Sequence, residues 1–259
     1  MMAKSGGPAP VPRQSCVHFL QLPMGMRLLY TATLLVLGTG YLFAMIYIFE
    51  SHAGRDGNAM LSVNDLVIAY SGSKADTRLE SALKGPMANM LPQEERAEIV
   101  AWVRRGAKQD DFADKVQGIM EKRCESCHNG TNPHLANLKG YANLSQMAQQ
   151  DHGMDIFTLV RVSHIHLFGI TFIFFIVGSI FCHAHIRPLW LKCVIIVVPF
   201  LFVLLDIGSW YLTKLYEPFA WVVMLSGAFM GVAFAAQWII SIWQMWFYTM
   251  PKEFEGSVW

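Results

Sequence analysis

The sequence predicts a mainly α-helical membrane protein, a four-helix transmembrane bundle with a small external helical insert between the first and second spans. Two observations predict this architecture. The chain is 54% hydrophobic and 15% charged, whereas an ordinary soluble domain is roughly 45–50% apolar and about 25% charged. The charges are also unevenly placed, because residues 193–250 carry only Asp206, Lys214 and Glu217 while residues 51–155 carry many.

Overall charge and cysteine content exclude several classes of protein. The formal net charge of +1 excludes a strongly basic nucleic-acid-binding protein and an acidic solvating tail, so we expect no nucleic-acid partner. Five cysteines in 259 residues are too few for a small disulfide-stapled scaffold. The lipid bilayer is therefore the first partner that the composition predicts.

Four apolar runs are each long enough to cross a hydrocarbon core of about 30 Å, which needs roughly 20 helical residues. They are residues 28–49, 162–186, 193–213 and 218–250. The first run follows Arg27 with the polarity of a signal peptide, but it exceeds the roughly 7–15 apolar residues of such a peptide, so we predict an uncleaved anchor. Four tryptophans lie near span ends, as in an interfacial aromatic belt: Trp190, Trp210, Trp221 and Trp246.

Basic residues in the short connections predict the orientation of the spans. They share one side of a four-span bundle and are Lys4, Arg13, Arg27, Arg187, Lys192 and Lys252. Both termini are therefore predicted to be cytoplasmic, with the insert on the outer side. The predicted organisation is a tail at 1–27, a first span at 28–50, an external insert at 51–156, three further spans at 157–250 and a tail at 251–259.

The sequence of the insert predicts short helices joined by loops. Residues 92–106 begin with Pro92, carry acidic residues in the first turn and arginines in the last, and end at Gly106, which predicts a helix. A second helix is predicted over residues 110–123, with apolar residues at helical spacing, and a short third one over residues 138–149.

The second predicted helix leads into Cys124-Glu125-Ser126-Cys127-His128, which fits the C-x-x-C-H signature of covalent c-type haem attachment. In that chemistry two thiols add to the haem vinyl groups, and the adjacent histidine reaches the iron. A zinc site would need two further cysteine or histidine ligands, and the insert has no other cysteine. A thioredoxin-like pair would need a βαβ context, which the sequence does not show.

Residues 112–130 resemble the corresponding segment of membrane-anchored monohaem c-type cytochromes, with an amphipathic helix running into the Cys124–His128 motif. The resemblance implies a cytochrome c-like insert with one covalent haem c, attached through Cys124 and Cys127, and His128 as an axial ligand. In small cytochromes c the sixth ligand is usually a methionine several tens of residues further on. Here the next span begins to form at Phe157, only 29 positions after His128, so the usual C-terminal helix is missing.

The sequence does not decide which residue is the sixth iron ligand. Met147, near the end of the predicted 138–149 helix, is the first choice because thioether ligation raises the reduction potential of a carrier. The alternatives are other methionines and histidines of the insert, and histidines at the outer ends of the spans: Met87, Met90, Met154, His134, His152, His164 and His52.

Ionisable residues inside a bilayer cost free energy, which favours a functional interpretation. His164 and His166 open the second span, and Asp206 lies at a similar depth in the third. Together with His52 they could form an outer site that oxidises a quinol or binds haem b. The plainer interpretation is that these histidines are half-solvated at the interface and that Asp206 hydrogen-bonds locally. For the inner pair, His183 and His185, an interfacial position is favoured.

These observations predict one-electron transfer at the periplasmic face of a bacterial inner membrane, with a redox partner protein or membrane complex as partner. An electron carrier is favoured over a stand-alone enzyme. One alternative is a quinol-oxidising subunit that uses the His/Asp site of the bundle. A second alternative is a haem-based redox or gas sensor that anchors a larger complex.

Overall fold

The computed structural model describes residues 17–133 and 135–249, and it contains helices but no named β-strand in that part of the chain. The predicted tail at 251–259, most of the 1–27 tail and His134 lie outside the described residues. The helices, in chain order, are α1 (Met24–His52), α2 (Val63–Ser71), α3 (Arg78–Lys84), α4 (Gln93–Arg104), α5 (residues 109–123), α6 (Tyr141–Met147), α7 (Ile156–Phe181), α8 (Leu189–Leu215) and α9 (Ala220–Trp246).

The prediction of four membrane-spanning helices is confirmed, since α1, α7, α8 and α9 are long and apolar enough to cross a bilayer. Their ends differ from the uncharged runs because local capping decides where a helix starts. The α7 helix begins at Ile156, where the carboxylate of Asp155 accepts the amide hydrogen of Thr158 at 2.9 Å. It ends at Phe181, short of the predicted residue 186.

The bundle is built around α8 and α9, which pack against each other most extensively, with α7 against both. The α1 helix lies at the periphery and is largely exposed. Indole nitrogens fasten it: Trp238 donates to the carbonyl of Leu34 at 2.7 Å, and Trp246 donates to the Thr31 hydroxyl at 2.9 Å. The Tyr41 ring also stacks on Phe234 at 4.4 Å.

The predicted insert divides between two hydrophobic cores. Its first helix, α2, packs on the outer ends of α8 and α9, and Leu66 and Tyr70 belong to the same buried cluster as the spans. The helices α3 to α6 form a second core whose largest buried side chain is Trp102, with an indole N–H that donates to the carbonyl of Lys108 at 2.9 Å. The helix predicted over residues 92–106 is confirmed as α4, and the predicted 138–149 helix is shorter, as α6.

A lysine and two glycines join the insert to the bundle. The Lys214 ammonium, at the outer end of α8, donates to the carbonyls of Tyr70, His152 and Met154 at 2.7, 3.0 and 2.8 Å. Gly72 and Gly153 have φ angles of +87° and +67°, and a Cβ on either would collide with backbone of the other segment. The return loop therefore approaches the end of α2 at a distance that requires glycine on both sides.

Candidate functional site

The C-x-x-C-H motif forms one turn of chain at the end of α5. The amide of Cys124 donates to the carbonyl of Met120 at 2.9 Å, and the amide of His128 donates to the carbonyl of Cys124 at 2.9 Å. Both thiols are free; that of Cys124 is half-buried and that of Cys127 is exposed. The turn therefore presents two thiols and one imidazole within five consecutive residues.

The imidazole of His128 is held in one tautomer by the backbone. Its Nδ1 lies 2.8 Å from the carbonyl oxygen of Ala136, and because a carbonyl only accepts, Nδ1 carries the hydrogen of this bond, which in the neutral ring leaves the lone pair on Nε2. The amide of Leu138 donates to the carbonyl of His128 at 2.9 Å and closes the same loop. A metal-ligating histidine commonly makes this kind of second hydrogen bond, which fixes the ring and raises its basicity.

An apolar surface lies next to the motif. Cys124 and Met147 both pack against the insert core, whose buried members include Val116, Met120 and Leu144. The π-helical turn Phe112–Val116 within α5 brings both of its end residues, Phe112 and Val116, into that core. The site thus combines two thiols and an imidazole with a wall of aliphatic and thioether groups.

The structure separates the candidates for the sixth ligand. Met147 and Met87 pack against the insert core, the same core against which Cys124 packs. Met154 packs against the membrane bundle instead, Met90 is 66% exposed, and the side chain of His152 is exposed. His134 lies outside the described residues. Met147 therefore remains a prediction that the packing supports, with Met87 as the second methionine on the same core.

An ion pair lies next to the motif. The carboxylate of Glu95, in the first turn of α4, accepts two hydrogen bonds from Arg123 at 2.7 and 3.0 Å, and these bonds lower the pKa of Glu95. Burial raises the pKa of the Cys124 thiol, with further increases from the negative charges of Glu125 and Glu95. The Cys124 thiol is therefore protonated at neutral pH. The bonds between Glu95 and Arg123 join α4 to α5, the helix that precedes the motif.

These features fit a covalently held haem. Cys124 and Cys127 would form the thioether links, and His128 would supply an axial nitrogen. The apolar surface of the insert core would meet one face of the macrocycle. Among residues 17–133 and 135–249, no group of three or more His, Cys, Asp or Glu side chains is placed to hold a metal ion.

A second polar cluster lies in the outer half of the bundle around Trp210. The Trp210 ring stacks on Tyr70 with centroids 5.8 Å apart and meets the His166 ring edge-on at 5.4 Å. Asp206, 8% exposed, lies one helical turn inward beside the Trp210 indole. Although Trp210 was predicted in the interfacial belt, it is buried and faces the bundle interior.

His164 and His52 make local contacts away from Trp210. The His164 ring approaches Phe168 edge-on and lies 3.1 Å from the carbonyl oxygen of Arg161. The His52 ring contacts Ser51 and the carbonyl of Ile48 in its own helix. Of the four residues predicted for a membrane site, the structure brings His166 and Asp206 to the same tryptophan. Tyr70 was missed because it belongs to the insert, where an isolated tyrosine gives no signal.

A third cluster gathers at the inner end, where His18 reaches the end of α7. The ring of His18 lies 3.2 Å from Oε1 of Gln244, the same amide oxygen that accepts the backbone N–H of His185 at 2.6 Å. The amide nitrogen of Gln244 donates to the carbonyl of His185 at 2.8 Å. The ring of His185 contacts the hydroxyl of Tyr248 at 2.9 Å. Gln244 was not among the predicted site residues, although it connects His18 to His185.

Comparison with known proteins bears on the spans alone. A family described as a transmembrane helical domain matches residues 151–252, which contain α7, α8 and α9. No curated protein and no solved structure matches the chain. The chain is therefore a multi-pass membrane protein with four candidate spans, and its last three spans are similar to a family of transmembrane helical domains.

Proposed function

We propose that the protein is a membrane-bound c-type cytochrome that transfers single electrons. The observation that carries this proposal is the turn at Cys124–His128, where two free thiols and an imidazole held at Nδ1 by Ala136 lie beside an apolar core. A haem bound there supplies one-electron oxidation and reduction of its iron, and the protein supplies ligands, orientation and a low dielectric.

The residues of the chain would perform three tasks around such a haem. Cys124 and Cys127 hold it covalently, and His128, fixed by Ala136, presents Nε2 as a ligand. Val116, Met120 and Leu138, which are nearly fully buried, exclude water from one side of the site. The exposed position of Cys127 leaves the other side of the motif open to a redox partner.

The proposed location is the periplasmic face of a bacterial inner membrane, with both termini in the cytoplasm. Covalent haem attachment takes place on the outer side, and basic residues such as Arg27, Arg187 and Lys192 lie at the opposite ends of the spans. Lys214, whose ammonium donates to three carbonyls of the insert, would hold the insert at the outer ends of α8 and α9 under this orientation. A redox protein or membrane complex in the periplasm would then be the electron-transfer partner.

A pyridine haemochrome spectrum of the purified full-length protein tests the proposal. We expect one covalent c-type haem per chain, and a shift of the spectrum toward single-thioether attachment in Cys127→Ser. Cys193→Ser is the matched control, because Cys193 is also free and exposed but lies in α8, away from the motif. A wild-type protein without covalent haem, expressed in a host that matures c-type cytochromes, would overturn the proposal.

A further inference from the structure

A groove that opens to the lipid separates α1 from α7 at the end of the bundle opposite to the insert. Its volume is about 240 Å³, and it is lined by aromatic, aliphatic and hydroxyl side chains that include Leu29, Tyr30, Thr33, Phe175, Ile176 and Ser179. The gap exists because α1 packs more closely against α9 than against α7. A cavity of roughly 150 Å³ admits a benzene ring, so this inner groove has room for one substituted ring.

Three hydroxyl groups in the inner groove are accessible and have no partner. The side chains of Tyr30 and Thr33 are half-buried, and that of Ser179 is exposed. Within the described part of the chain, none of these three hydroxyls makes a hydrogen bond. The groove therefore offers both space and free donors to a molecule that enters from the bilayer.

Thr33 differs in this respect from the other threonines near it on α1. A serine or threonine in a membrane helix commonly directs its hydroxyl to the carbonyl four residues earlier in the same helix. Thr31 and Thr39 do so, at 2.7 and 2.9 Å, although Thr39 is exposed to lipid. Thr39 shows how a hydroxyl is satisfied where only hydrocarbon surrounds it. The Thr33 hydroxyl faces the groove instead, which indicates that a partner binds there.

The depth of the inner groove limits what this partner is. Thr33 lies six residues beyond Arg27, the last charged residue before the span, and is therefore roughly 9 Å deeper. The headgroup layer of a leaflet is only about 5–8 Å thick, so Thr33 lies in the hydrocarbon even if Arg27 is at the outer limit of that layer. The occupant must be soluble in lipid and must carry hydrogen-bond acceptors below the headgroups.

The lining of the inner groove suits a flat ring that carries carbonyl oxygens. Tyr30 and Phe175 supply aromatic rings from α1 and α7, and the Tyr30 ring also contacts His183 at 5.7 Å beyond the groove. Aromatic rings favour offset-stacked or edge-to-face contact with another ring. Among the described residues that line the groove there is no carboxylate or imidazole to accept a proton from a quinol. Hydroxyl groups, by contrast, donate readily to carbonyl oxygens.

We infer that the inner groove binds the ring of an oxidised, lipid-soluble quinone. The ring lies against Tyr30 and Phe175, its carbonyl oxygens accept hydrogen bonds from Thr33 and Ser179, and its apolar tail leaves through the open side into the bilayer. The groove and the Cys124–His128 motif are at opposite ends of the spans. The quinone site is therefore separate from the proposed haem and does not depend on the proposed function.

Binding of decylubiquinone to the full-length protein in detergent tests this site. Bound quinone is counted after equilibrium gel filtration, which involves no electron transfer. We expect one saturable site per chain, with affinity about threefold to tenfold weaker in Thr33→Val and in Ser179→Ala, because each variant removes one donor. Thr39→Val is the matched control, since Thr39 also lies on α1 and faces lipid, but its hydroxyl donates to the carbonyl of Leu35.

A second probe, decylbenzene, tests whether the quinone oxygens matter. It carries the same alkyl chain on a ring without oxygen, so we expect it to displace decylubiquinone only weakly. Displacement by decylbenzene as effective as that by unlabelled decylubiquinone would show that the groove accepts any apolar chain, which overturns the quinone site.

The remaining outcomes also decide the question. Absence of saturable binding, or equal affinity in wild type, Thr33→Val and Ser179→Ala, overturns the quinone site. If Thr33→Val does not fold, as judged by thermal unfolding, Ser179→Ala and the Thr39→Val control decide. Haem content is measured on the same samples: quinone binding without covalent haem overturns the cytochrome alone, and covalent haem without quinone binding overturns the quinone site alone.

Discussion

Gln237 donates its side-chain amide to the carbonyl of Ile195, the carbonyl that Pro199 leaves without its helical donor. A proline inside a helix has no N–H for the residue four positions earlier, and within a membrane no water replaces it. Gln237 is fully buried on α9 and spans the tightest helix pair of the bundle to reach this oxygen. The bond therefore gives the Ile195 carbonyl a donor where Pro199 interrupts the hydrogen bonding of α8, and it fixes the register between α8 and α9.

Gln237→Leu is expected to destabilise the bundle by about 1 kcal/mol, because the carbonyl of Ile195 would be left without a donor. Thermal unfolding in detergent measures the loss. The decisive comparison is the same substitution in a Pro199→Ala background, where the helix supplies its own donor and the cost of losing Gln237 should shrink. An equal cost in both backgrounds would show that the Gln237 amide does not act through Ile195.

Met147→Leu is expected to remove a thioether ligand from the proposed haem and to lower its reduction potential. The near-infrared charge-transfer band of thioether-ligated ferric haem reports the ligand directly, and CO binding to the reduced protein reports an open position. Met87→Leu is the control on the same core, and Met90→Leu is the control on the surface. Loss of the band in Met87→Leu instead would assign the sixth ligand to Met87. Ready binding of CO by the wild-type protein would favour a haem-based sensor over an electron carrier.

Lys214→Met is expected to loosen the insert from the bundle. Three carbonyls, those of Tyr70, His152 and Met154, would lose their common donor, at a cost of about 1–3 kcal/mol. Limited proteolysis at the return loop around residues 149–155 is the measurement. Lys74→Met is the matched control, since Lys74 is 86% exposed and only pairs with Glu217 at the surface. Equal cleavage rates in both variants would show that the three hydrogen bonds of Lys214 do not hold the return loop against the bundle.

Acidification is expected to open the inner histidine cluster. Burial lowers the pKa of His18 below its ordinary value of about 6.5, with smaller effects from His185, Lys192 and His183 and an opposing hydrogen bond from Gln244. Burial, Arg187 and Lys192 likewise lower the pKa of His185.

Because the folded cluster binds protons less readily than the unfolded chain, its stability is complete above about pH 6.5 and falls as the pH drops through the lowered pKa values. Hydrogen exchange of residues 17–23 should therefore be constant between about pH 8 and about pH 7, after correction for intrinsic exchange, and accelerate below about pH 6.5. His18→Gln should reduce this dependence. A segment equally protected at about pH 5 would contradict it.

Pattern and composition predicted the coarse architecture well. The four spans follow from long apolar runs in which Asp206 is the single charged residue, and α4 follows from Pro92 at its start and Gly106 after its end. The C-x-x-C-H motif is local in sequence, so its residues could be named without a fold. The ends of the spans were less predictable, because a cap such as Asp155 extends a helix beyond its apolar run.

Side-chain neighbours at long sequence separation could not be predicted in the same way. The meeting of Tyr70 with Trp210 depends on α2 docking on the bundle, and the meeting of His18 with Gln244 depends on the segment before α1 folding under α7 and α9. Ser226, Gln237 and Gln244 did carry a signal, since polar side chains on one face of a membrane helix usually have partners inside the bundle.

The sequence by itself determined what is local or additive: which segments are apolar enough to cross a membrane, which segment is water-soluble, and which five residues form the candidate haem attachment motif. Only the tertiary structure decided that the insert divides between two cores, that His166 and Asp206 share Trp210, and that Gln237 serves the carbonyl freed by Pro199. The reason is physical. Hydropathy and motif spacing belong to neighbouring residues, whereas a buried polar group finds its partner through helix packing, which brings together residues far apart in the chain.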